Sequence, residues 1–335
     1  MPFLTQVFKN KFPKEKFSVG LDIGTSAIKF IKLKHDKGAY ELTALAVETF
    51  QGDLAPALEK VIKSWGINKV KISVSGPAVI IRYVSLPRML PEELRQALRF
   101  EAEKHIPFPI AEVSVDAHIL RSDPVDNKML VLLAAVKKDF LNQRLKLLED
   151  LGVKVDSVDI DSLALINAFS FNYPETDKTK TIALLNIGAS FSNLNILEGT
   201  VPRLSRDIHI AGNKIADSLS LDSKAAEISK INPQGEQSGK AAPAFEVVLS
   251  QLAAEIRPSF DYYESQSASS VGKIFLSGGG SLFSGLKESL ANVLGAEVDY
   301  WDPLKQITVA EGLDLSGISS MERAAKFAAA VGLAL

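Results

Sequence analysis

A segment of thirteen residues that occurs twice constrains the fold of this chain more than any other feature. LDIGTSAIKFIKL begins at Leu21, and LNIGASFSNLNIL begins at Leu185 and aligns with it without gaps. In each copy an apolar run ends in a glycine turn and then alternates with polar residues, which is the pattern of a β-hairpin. Two hairpins could be alike by chance, but a third glycine loop further along the chain favours a duplicated fold with two related lobes.

The strand after each copy begins at a second turn. DKG at Asp36–Gly38 is typical of a tight hairpin turn, and Glu198–Thr200 takes its place in the second copy. Each lobe is therefore predicted to open with consecutive antiparallel strands joined by short turns.

The composition of the chain excludes several classes of protein and kinds of site. The 335 residues suffice for two domains, and an apolar share of 46% with 23% charged residues excludes wholesale disorder. A net charge of −2 offers no broad positive field to a nucleic acid. Cysteine is absent, which excludes disulfides, thiolate metal sites and a cysteine nucleophile and fits a reducing cytoplasm. The four histidines lack metal-ligand spacing, and no apolar stretch reaches the roughly 20 residues of a membrane span.

The N-terminal residues 1–16 combine four apolar residues at helical spacing with four lysines that follow them. Such a segment can contact an anionic membrane surface. We favour a flexible, solvated tail, because chain ends are commonly poorly ordered.

Residues 71–150 are predicted to form an inserted α+β module. The turn dipeptide Gly76–Pro77 interrupts a strand-like run, a helix begins at Pro91 with two glutamates in its first turn, and Gly152 ends a later helix. Further along, 209–270 is rich in helix, with a polar break at Asn232–Pro243 that is predicted to be a mobile loop. Phe260, Tyr262 and Tyr263 are expected to pack in a helix rather than to stack on a nucleobase.

Three glycine loops carry the chemistry: Asp22–Ser26, Asn186–Ser190 and Ser277–Ser281. Glycine lets a backbone approach phosphate closely, and the exposed N–H groups of such turns bind anions. A carboxylate at a strand end, Asp22, can hold Mg²⁺ through its water shell. Each loop alone is a weak signal, whereas three in this order indicate a site for a nucleoside triphosphate between the lobes.

The chain resembles the actin, Hsp70 and sugar-kinase superfamily, in which two hairpin loops grip the phosphates and a later glycine loop supports the adenosine. Within it the chain is most similar to the PilM family of type IV pilus assembly and less so to FtsA. The resemblance extends over nearly the whole chain and includes GLDIGTSAIK, GPAVIIRYVSLP, IPFP, AAEISK, EIRPSFDYYESQ and LSGGGSLFSGL.

This resemblance implies an α/β, two-lobed actin-like (ribonuclease H-like) ATPase fold with an inserted small α+β subdomain. The implied division is a first lobe of 17–70 plus 151–177, a module of 71–150, a second lobe of 178–222 plus 272–335, and a helical adenine-side subdomain of 223–271.

The resemblance also assigns roles to residues that match the family motifs. Gly24, Thr25, Ser26 and Lys29 correspond to the first phosphate loop, with Asp22 as the carboxylate on the magnesium side. Further ATP contacts are implied for Gly188, Ala189 and Ser190 (second loop), Gly212, Asn213 and Lys214 (a ribose- or phosphate-proximal turn), Glu227 and Lys230 (ribose and adenine), and Gly278, Gly279 and Gly280 (adenosine). Asp161 falls where relatives place an acid that orients water or metal, which implies a catalytic role.

One position departs from the family pattern, because Asn186 stands where an aspartate is usual. The change could be harmless, since asparagine still hydrogen-bonds a metal-bound water. We favour the alternative that the site loses a negative charge facing Mg²⁺, which predicts ATP binding with slow or negligible hydrolysis.

By resemblance, the function is that of a cytoplasmic ATP-binding scaffold at the inner face of the inner membrane. Its partner would be the N-terminal cytoplasmic peptide of the inner-membrane protein PilN, in a groove between the first lobe and the module. Phe108 faces that groove or belongs to the core; both remain open. Membrane contact would be peripheral, through the partner. The alternatives are a self-associating, FtsA-like membrane filament and, less favoured, a small-molecule kinase, for which no acceptor-binding motif is evident.

Overall fold

The computed structural model describes residues 16–123, 125–177, 180–219, 242–267, 269–316 and 318–335. The N-terminal tail up to residue 15 and most of the predicted loop at Asn232–Pro243 lie outside these ranges. The strands are β1 (Phe17–Ile23), β2 (Ala27–Asp36), β3 (Ala39–Thr49), β4 (Lys69–Val74), β5 (Val79–Pro87), β6 (Val113–Asp123), β7 (Lys128–Lys137), β8 (Lys154–Ile160), β9 (Thr181–Ile187), β10 (Ser192–Glu198), β11 (Val201–Ile208), β12 (Val271–Ser277), β13 (Glu297–Tyr300) and β14 (Thr308–Val309). The helices are α1 (Leu54–Trp65), α2 (Pro91–His105), α3 (Lys138–Asp150), α4 (Asp161–Asn172), α5 (Gly212–Ser218), α6 (Ala242–Gln266), α7 (Leu286–Leu294) and α8 (Ser320–Ala334).

The first lobe is built on a six-stranded sheet in the order β14-β3-β2-β1-β4-β8. β1, β2 and β3 are antiparallel, whereas β4 runs parallel to β1, and β8 runs parallel to β4. The predicted hairpin turn is confirmed, since Asp36 pairs with Ala39 and both Lys37 and Gly38 have positive φ. That conformation suits the right-handed twist of the two strands.

The second lobe repeats this plan in a five-stranded sheet, β11-β10-β9-β12-β13. β9, β10 and β11 are antiparallel, and β12 and β13 continue the sheet in parallel. The register repeats as well: Ile23 pairs with Ile28 in the first lobe, and Ile187 pairs with Ser192 in the second. Chance likeness of two sequences would not reproduce both the strand order and the register, so the predicted duplication is confirmed.

The inserted module contains a three-stranded antiparallel sheet, β5-β7-β6, with α2 against it. α2 begins at Pro91 as expected, and the Leu90 N–H donates to the Glu93 carboxylate at 2.6 Å, which satisfies an amide before the first turn. β4, the first strand of the predicted 71–150 module, lies in the sheet of the first lobe. The module therefore leaves that lobe at the turn that contains Gly76, and α3 leads back to β8.

The C-terminal helix α8 packs on α4 and β1 of the first lobe, although the sequence division placed it in the second. Two close approaches explain this contact. A Cβ on Gly332 would lie 1.8 Å from the Ala164 carbonyl oxygen, and one on Gly20 would lie 2.0 Å from the Ala330 carbonyl oxygen. Only glycine permits backbones this close. β14 likewise pairs with β3 of the first sheet.

An aromatic cluster joins the lobes behind this contact. Phe169 of α4 is fully buried, and its ring centroid lies 4.9 Å from that of Phe275 on β12 and 5.3 Å from that of Trp301. Of the aromatic residues predicted to pack in α6, Phe260 and Tyr263 are buried, which confirms that prediction. Tyr262 is 62% exposed, so the prediction is wrong there: it lies on the solvent side of the same helix. Among the described residues, no helix has an apolar run long enough to cross a membrane.

Candidate functional site

The two repeated hairpin turns have the same geometry and face one another. The Gly24 N–H donates to the Ala27 carbonyl oxygen at 3.0 Å, and the Gly188 N–H donates to the Phe191 carbonyl oxygen at 3.0 Å. The tips of the turns meet, because the hydroxyl oxygens of Thr25 and Ser190 are 2.9 Å apart. The glycine turns of the two lobes therefore point at a common place.

A cavity of about 1020 Å³ lies beside this contact. Nearly all the described residues that the sequence assigned to nucleotide contacts line it: Asp22, Gly24, Thr25, Ser26, Lys29, Asp161, Gly188, Ala189, Ser190, Gly212, Asn213, Gly278, Gly279 and Gly280. Lys214 does not line the cavity. Further along α5, Ala216 and Asp217 line it instead. Glu227 and Lys230 lie outside the described residues.

The backbone of the turns is suited to an anion. Within the described ranges, no hydrogen bond uses the amide N–H of Thr25, Ser26, Ala189 or Ser190. Consecutive amides at the tip of a turn form a concave anion-binding surface. These donors are therefore available to the oxygens of an anion such as phosphate.

The third glycine loop is fixed directly against the second turn. Gly278 has φ +85°, and a Cβ on it would lie 2.3 Å from the Ile187 carbonyl oxygen. At the start of α5, the N–H groups of Gly212 and Asn213 donate to the carbonyl oxygens of Gly188 and Ala189, each at 2.9 Å. The second turn, α5 and the loop after β12 thus form one continuous side of the cavity.

The first turn carries an ion pair that the second replaces with two amides. Lys29 Nζ lies 3.0 Å from an Asp22 carboxylate oxygen. At the equivalent positions of the second hairpin, the Asn186 side-chain amide donates to the Asn193 side-chain oxygen, also at 3.0 Å. The exchange of aspartate for asparagine is thus matched by an exchange of lysine for asparagine on the facing strand.

The amide pair belongs to a longer polar chain. The Ser277 hydroxyl donates to the Asn186 side-chain oxygen at 3.1 Å, and the Asn193 amide donates to the Asp207 carboxylate at 2.7 Å. The other oxygen of Asp207 accepts the Gly76 N–H at 2.8 Å. This chain connects the third glycine loop, through the second hairpin, to the turn where the module leaves the first lobe.

Asp161 is the first residue of α4 and follows directly on β8. Burial raises the pKa of its carboxyl to about 6; the negative charge of Asp22 adds to the rise, and the hydroxyls of Ser73 and Ser75 oppose it. A carboxyl that titrates close to neutral pH can accept a proton from water. The structure thus places this predicted catalytic residue beside Asp22, at the cavity.

The acids of the site do not form a cation site by themselves. The described ranges contain no group of three histidine, aspartate or glutamate side chains that could hold a metal ion. Mg²⁺ is commonly bound by one or two carboxylates together with substrate phosphates, and Asp22 can supply such a ligand. The residues present therefore fit Mg²⁺ that arrives with a polyphosphate.

Several cavity residues were missed from the sequence. Ser73 lies near the end of β4 and Ser75 directly follows it, and the parallel pairing of β4 with β1 brings both beside Asp22. Phe140 and Arg144 of α3 line the same cavity, four residues apart on one helix face. The spacing was visible in the sequence, but nothing in it indicated that this face of α3 lies at the cleft.

Phe108, left open between groove and core, is half-buried in the module, with Lys137 Nζ lying 4.5 Å from its ring centroid. Its side chain also packs against the buried cluster of Ala102, Ile106, Val113 and Ala135, so part of it belongs to the core of the module.

Comparison with known proteins agrees with this architecture. The PilM-PilN type IV pilus biogenesis complex contains a chain 26% identical to this one, with a TM-score of 0.84 over 96% of this chain and 98% of that one. The ethanolamine utilization protein EutJ from Carboxydothermus hydrogenoformans is 12% identical, with a TM-score of 0.53 over 97% and 91% of the two chains. A diol dehydratase-reactivating factor in nucleotide-free form is 11% identical, with a TM-score of 0.52 over 95% and 99%.

The last two similarities concern the fold alone, and the predicted two-lobed actin-like α/β fold is confirmed. The family model described as type IV pilus assembly protein PilM matches residues 20–335. Because that match takes in both lobes, the inserted module and all three glycine loops, this chain belongs to the PilM family of type IV pilus assembly proteins.

Proposed function

We propose that this protein is an ATP-binding scaffold of the type IV pilus assembly platform, in which bound nucleotide sets the angle between the lobes. The observation that carries the proposal is the meeting of the two hairpin turns, with Thr25 and Ser190 hydroxyls 2.9 Å apart, at the edge of a cavity of about 1020 Å³. Four amides at these turns, which donate no hydrogen bond to any described residue, supply donors from both lobes to the same phosphates. A ligand held by both lobes favours one lobe arrangement over others.

In this proposal the residues divide by position. Gly24, Thr25, Ser26 and Lys29 bind phosphates from the first lobe, Gly188, Ala189 and Ser190 bind them from the second, and Asp22 holds Mg²⁺, which neutralises phosphate charge. The adenosine lies against Gly278, Gly279 and Gly280, near Gly212 and Asn213, and Glu227 and Lys230 are proposed to complete the ribose and adenine contacts. Lys214 is left out of the proposed site, because it does not line the cavity.

Slow or negligible hydrolysis follows from the second hairpin. The Asn186 side chain contributes no negative charge toward Mg²⁺, and both its amide and its oxygen are engaged, with Asn193 and Ser277. Asp161 is then the acid available to orient water. We expect turnover well below about 1 per second, a common value for phosphoryl-transfer enzymes.

The proposed partner is the N-terminal cytoplasmic peptide of PilN. The similar structure with a TM-score of 0.84 is described as a PilM-PilN complex, which supports a PilN partner for this chain. We place the peptide between the first lobe and the module, near Phe108, where an apolar side chain or an added strand could dock. The protein would then act at the cytoplasmic face of the inner membrane and reach the membrane through this partner. Self-association stays a prediction.

Gly279 offers a direct test of nucleotide binding. A Cβ there meets no atom within 4 Å, and Gly279 lines the cavity, so we expect the larger side chain of Gly279→Val to enter the proposed adenosine space. We expect titration calorimetry with ATP and Mg²⁺ to show binding to the wild-type protein and at least about tenfold weaker binding to the variant.

Gly272→Val is the matched control. Gly272 precedes the same loop on β12, outside the cavity, and a Cβ there also meets no atom within 4 Å. Its ATP affinity should stay within about twofold of the wild-type value. Absence of ATP binding by the wild-type protein, or equal affinities of the wild-type protein and Gly279→Val, would contradict the proposed site.

A further inference from the structure

Helix α3 brings the inserted module into contact with the cleft. It begins where β7 of the module sheet ends and packs on β8 of the first lobe. Phe140 and Arg144, one turn apart, line the cavity together with both hairpin turns. A cationic side chain from the helix between module and lobe thus faces the place where phosphates would lie.

The guanidinium of Arg144 has unused hydrogen-bonding capacity. Arginine presents five N–H donors in a planar fork. Within the described ranges, none of the hydrogen bonds or ion pairs involves this side chain. Burial lowers its pKa, while the charges of Asp161 and Asp22 act in the opposite direction. The group is therefore partly removed from water and near two carboxylates, but it is not bound to either of them.

A purely structural role would be expected to pair the fork with one of these carboxylates, since bidentate pairing is the strongest arrangement open to it. Instead, Arg144 and the amides of the two turns surround the same cavity with donors. Such a fork matches the oxygens of a phosphate group.

We propose that Arg144 contacts the terminal phosphate of a bound nucleoside triphosphate, and that this contact makes the position of α3, and with it the module, depend on the third phosphate. The inference rests on the proposed function, because it requires nucleotide in the cleft. It adds a residue that distinguishes triphosphate from diphosphate and a route from the nucleotide to the module.

The test compares ATP and ADP, each with Mg²⁺, by titration calorimetry on the full chain. Arg144→Ala should weaken ATP binding about tenfold or more and ADP binding less than about threefold, since only ATP has the phosphate that Arg144 contacts. Arg144→Lys, which keeps the charge without the fork, should fall between. Lys146→Ala, an exposed lysine on the same helix, is the control and should change neither affinity.

A second measurement tests directly whether the third phosphate affects α3. In the wild-type protein, amide hydrogen exchange in α3 should be slower with ATP than with ADP, and in Arg144→Lys this difference should shrink. If Arg144→Ala does not fold, Arg144→Lys is used in its place for both measurements. Equal weakening of ATP and ADP, or exchange that is the same with both nucleotides in the wild-type protein, would overturn the inference while leaving ATP binding intact. Failure of the wild-type protein to bind either nucleotide would instead overturn the proposed function.

Discussion

The pair Asn186 and Asn193 shows how a single residue difference between the lobes is accommodated. At the same two positions of the first hairpin, Asp22 and Lys29 form an ion pair. A carboxylate at position 186 would face the side-chain oxygen of Asn193, which accepts a hydrogen bond in the present structure, and would lie near Asp207. The asparagine at 186 is thus dictated by its neighbours as much as by the ligand.

The contacts of Asn186 and Asn193 predict the effects of two substitutions at these positions. Asn186→Asp should lower the free energy of unfolding by about 1–3 kcal/mol. The new carboxylate has no hydrogen to donate to the side-chain oxygen of Asn193, so two partly buried acceptors would face each other without a hydrogen bond. Adding Asn193→Lys should recover part of that loss, because it rebuilds the ion pair of the first hairpin and keeps a donor toward Asp207. Urea denaturation of the wild type, both single variants and the double variant closes a double-mutant cycle. Strictly additive effects would contradict the interpretation.

Asp161 predicts a pH dependence of stability. Burial and the charge of Asp22 raise the pKa of its carboxyl from 3.8 to about 6 in the folded protein. Between these values the folded state binds more protons than the unfolded state, so stability falls as pH rises from about 4 to 6, and the penalty is complete above pH 6. Asp161→Asn should therefore stabilise the protein at pH 7–8, on the order of 1–3 kcal/mol, and lose this advantage toward pH 4.

Denaturation of Asp161→Asn and the wild-type protein at several pH values measures this difference. Asp150→Asn, which changes an exposed carboxylate at the end of α3, is the control and should follow the wild-type profile. If the advantage of Asp161→Asn were independent of pH, ionisation of Asp161 would not be its cause.

The elements differ in how far the sequence reveals them. Hairpins with alternating apolar residues and a glycine turn are specified locally, so the strands β1, β2, β9 and β10 and the glycine loops could be predicted, and with them one whole side of the cavity. The position of α8 on the first lobe could not, because it depends on close backbone contacts at Gly20 and Gly332 between segments more than 150 residues apart. Local sequence carries no signal for such a contact.

Helix α3 illustrates the same limit at the site. Its apolar pattern and its end near Gly152 were readable, but the face that carries Arg144 could be assigned to the cleft only once β7 and β8 were placed. Ser73 and Ser75 were missed for a related reason: the parallel pairing of β4 with β1 brings them beside Asp22, and parallel pairs join strands that are distant in sequence. A search for sequence motifs cannot find site residues that come from such a parallel strand pair.

The two lobes are connected at several points that a nucleotide would affect together. Beyond the contact of Thr25 with Ser190, the Tyr83 hydroxyl of the module lies 2.7 Å from the Ser205 hydroxyl of the second lobe, and Asp207 accepts the Gly76 N–H. A change in lobe angle would therefore also move the module. A phosphate group cannot lie between two hydroxyl oxygens 2.9 Å apart, so binding between the turn tips requires them to separate.

The absence of cysteine makes this separation measurable. In the double variant Thr25→Cys with Ser190→Cys, the two sulfur atoms would occupy nearly the positions of the contacting hydroxyls, close enough for a disulfide, whose sulfurs lie about 2 Å apart. Oxidation without nucleotide should form it readily, and saturating ATP with Mg²⁺ should slow it by on the order of tenfold, because the open arrangement is favoured. Thiol titration follows the reaction, and each single-cysteine variant controls for links between molecules. Adding Gly279→Val to the pair should restore the rate seen without nucleotide. An unchanged rate in a pair variant that still binds ATP would show that the turn tips stay together and that the phosphates lie elsewhere in the cleft.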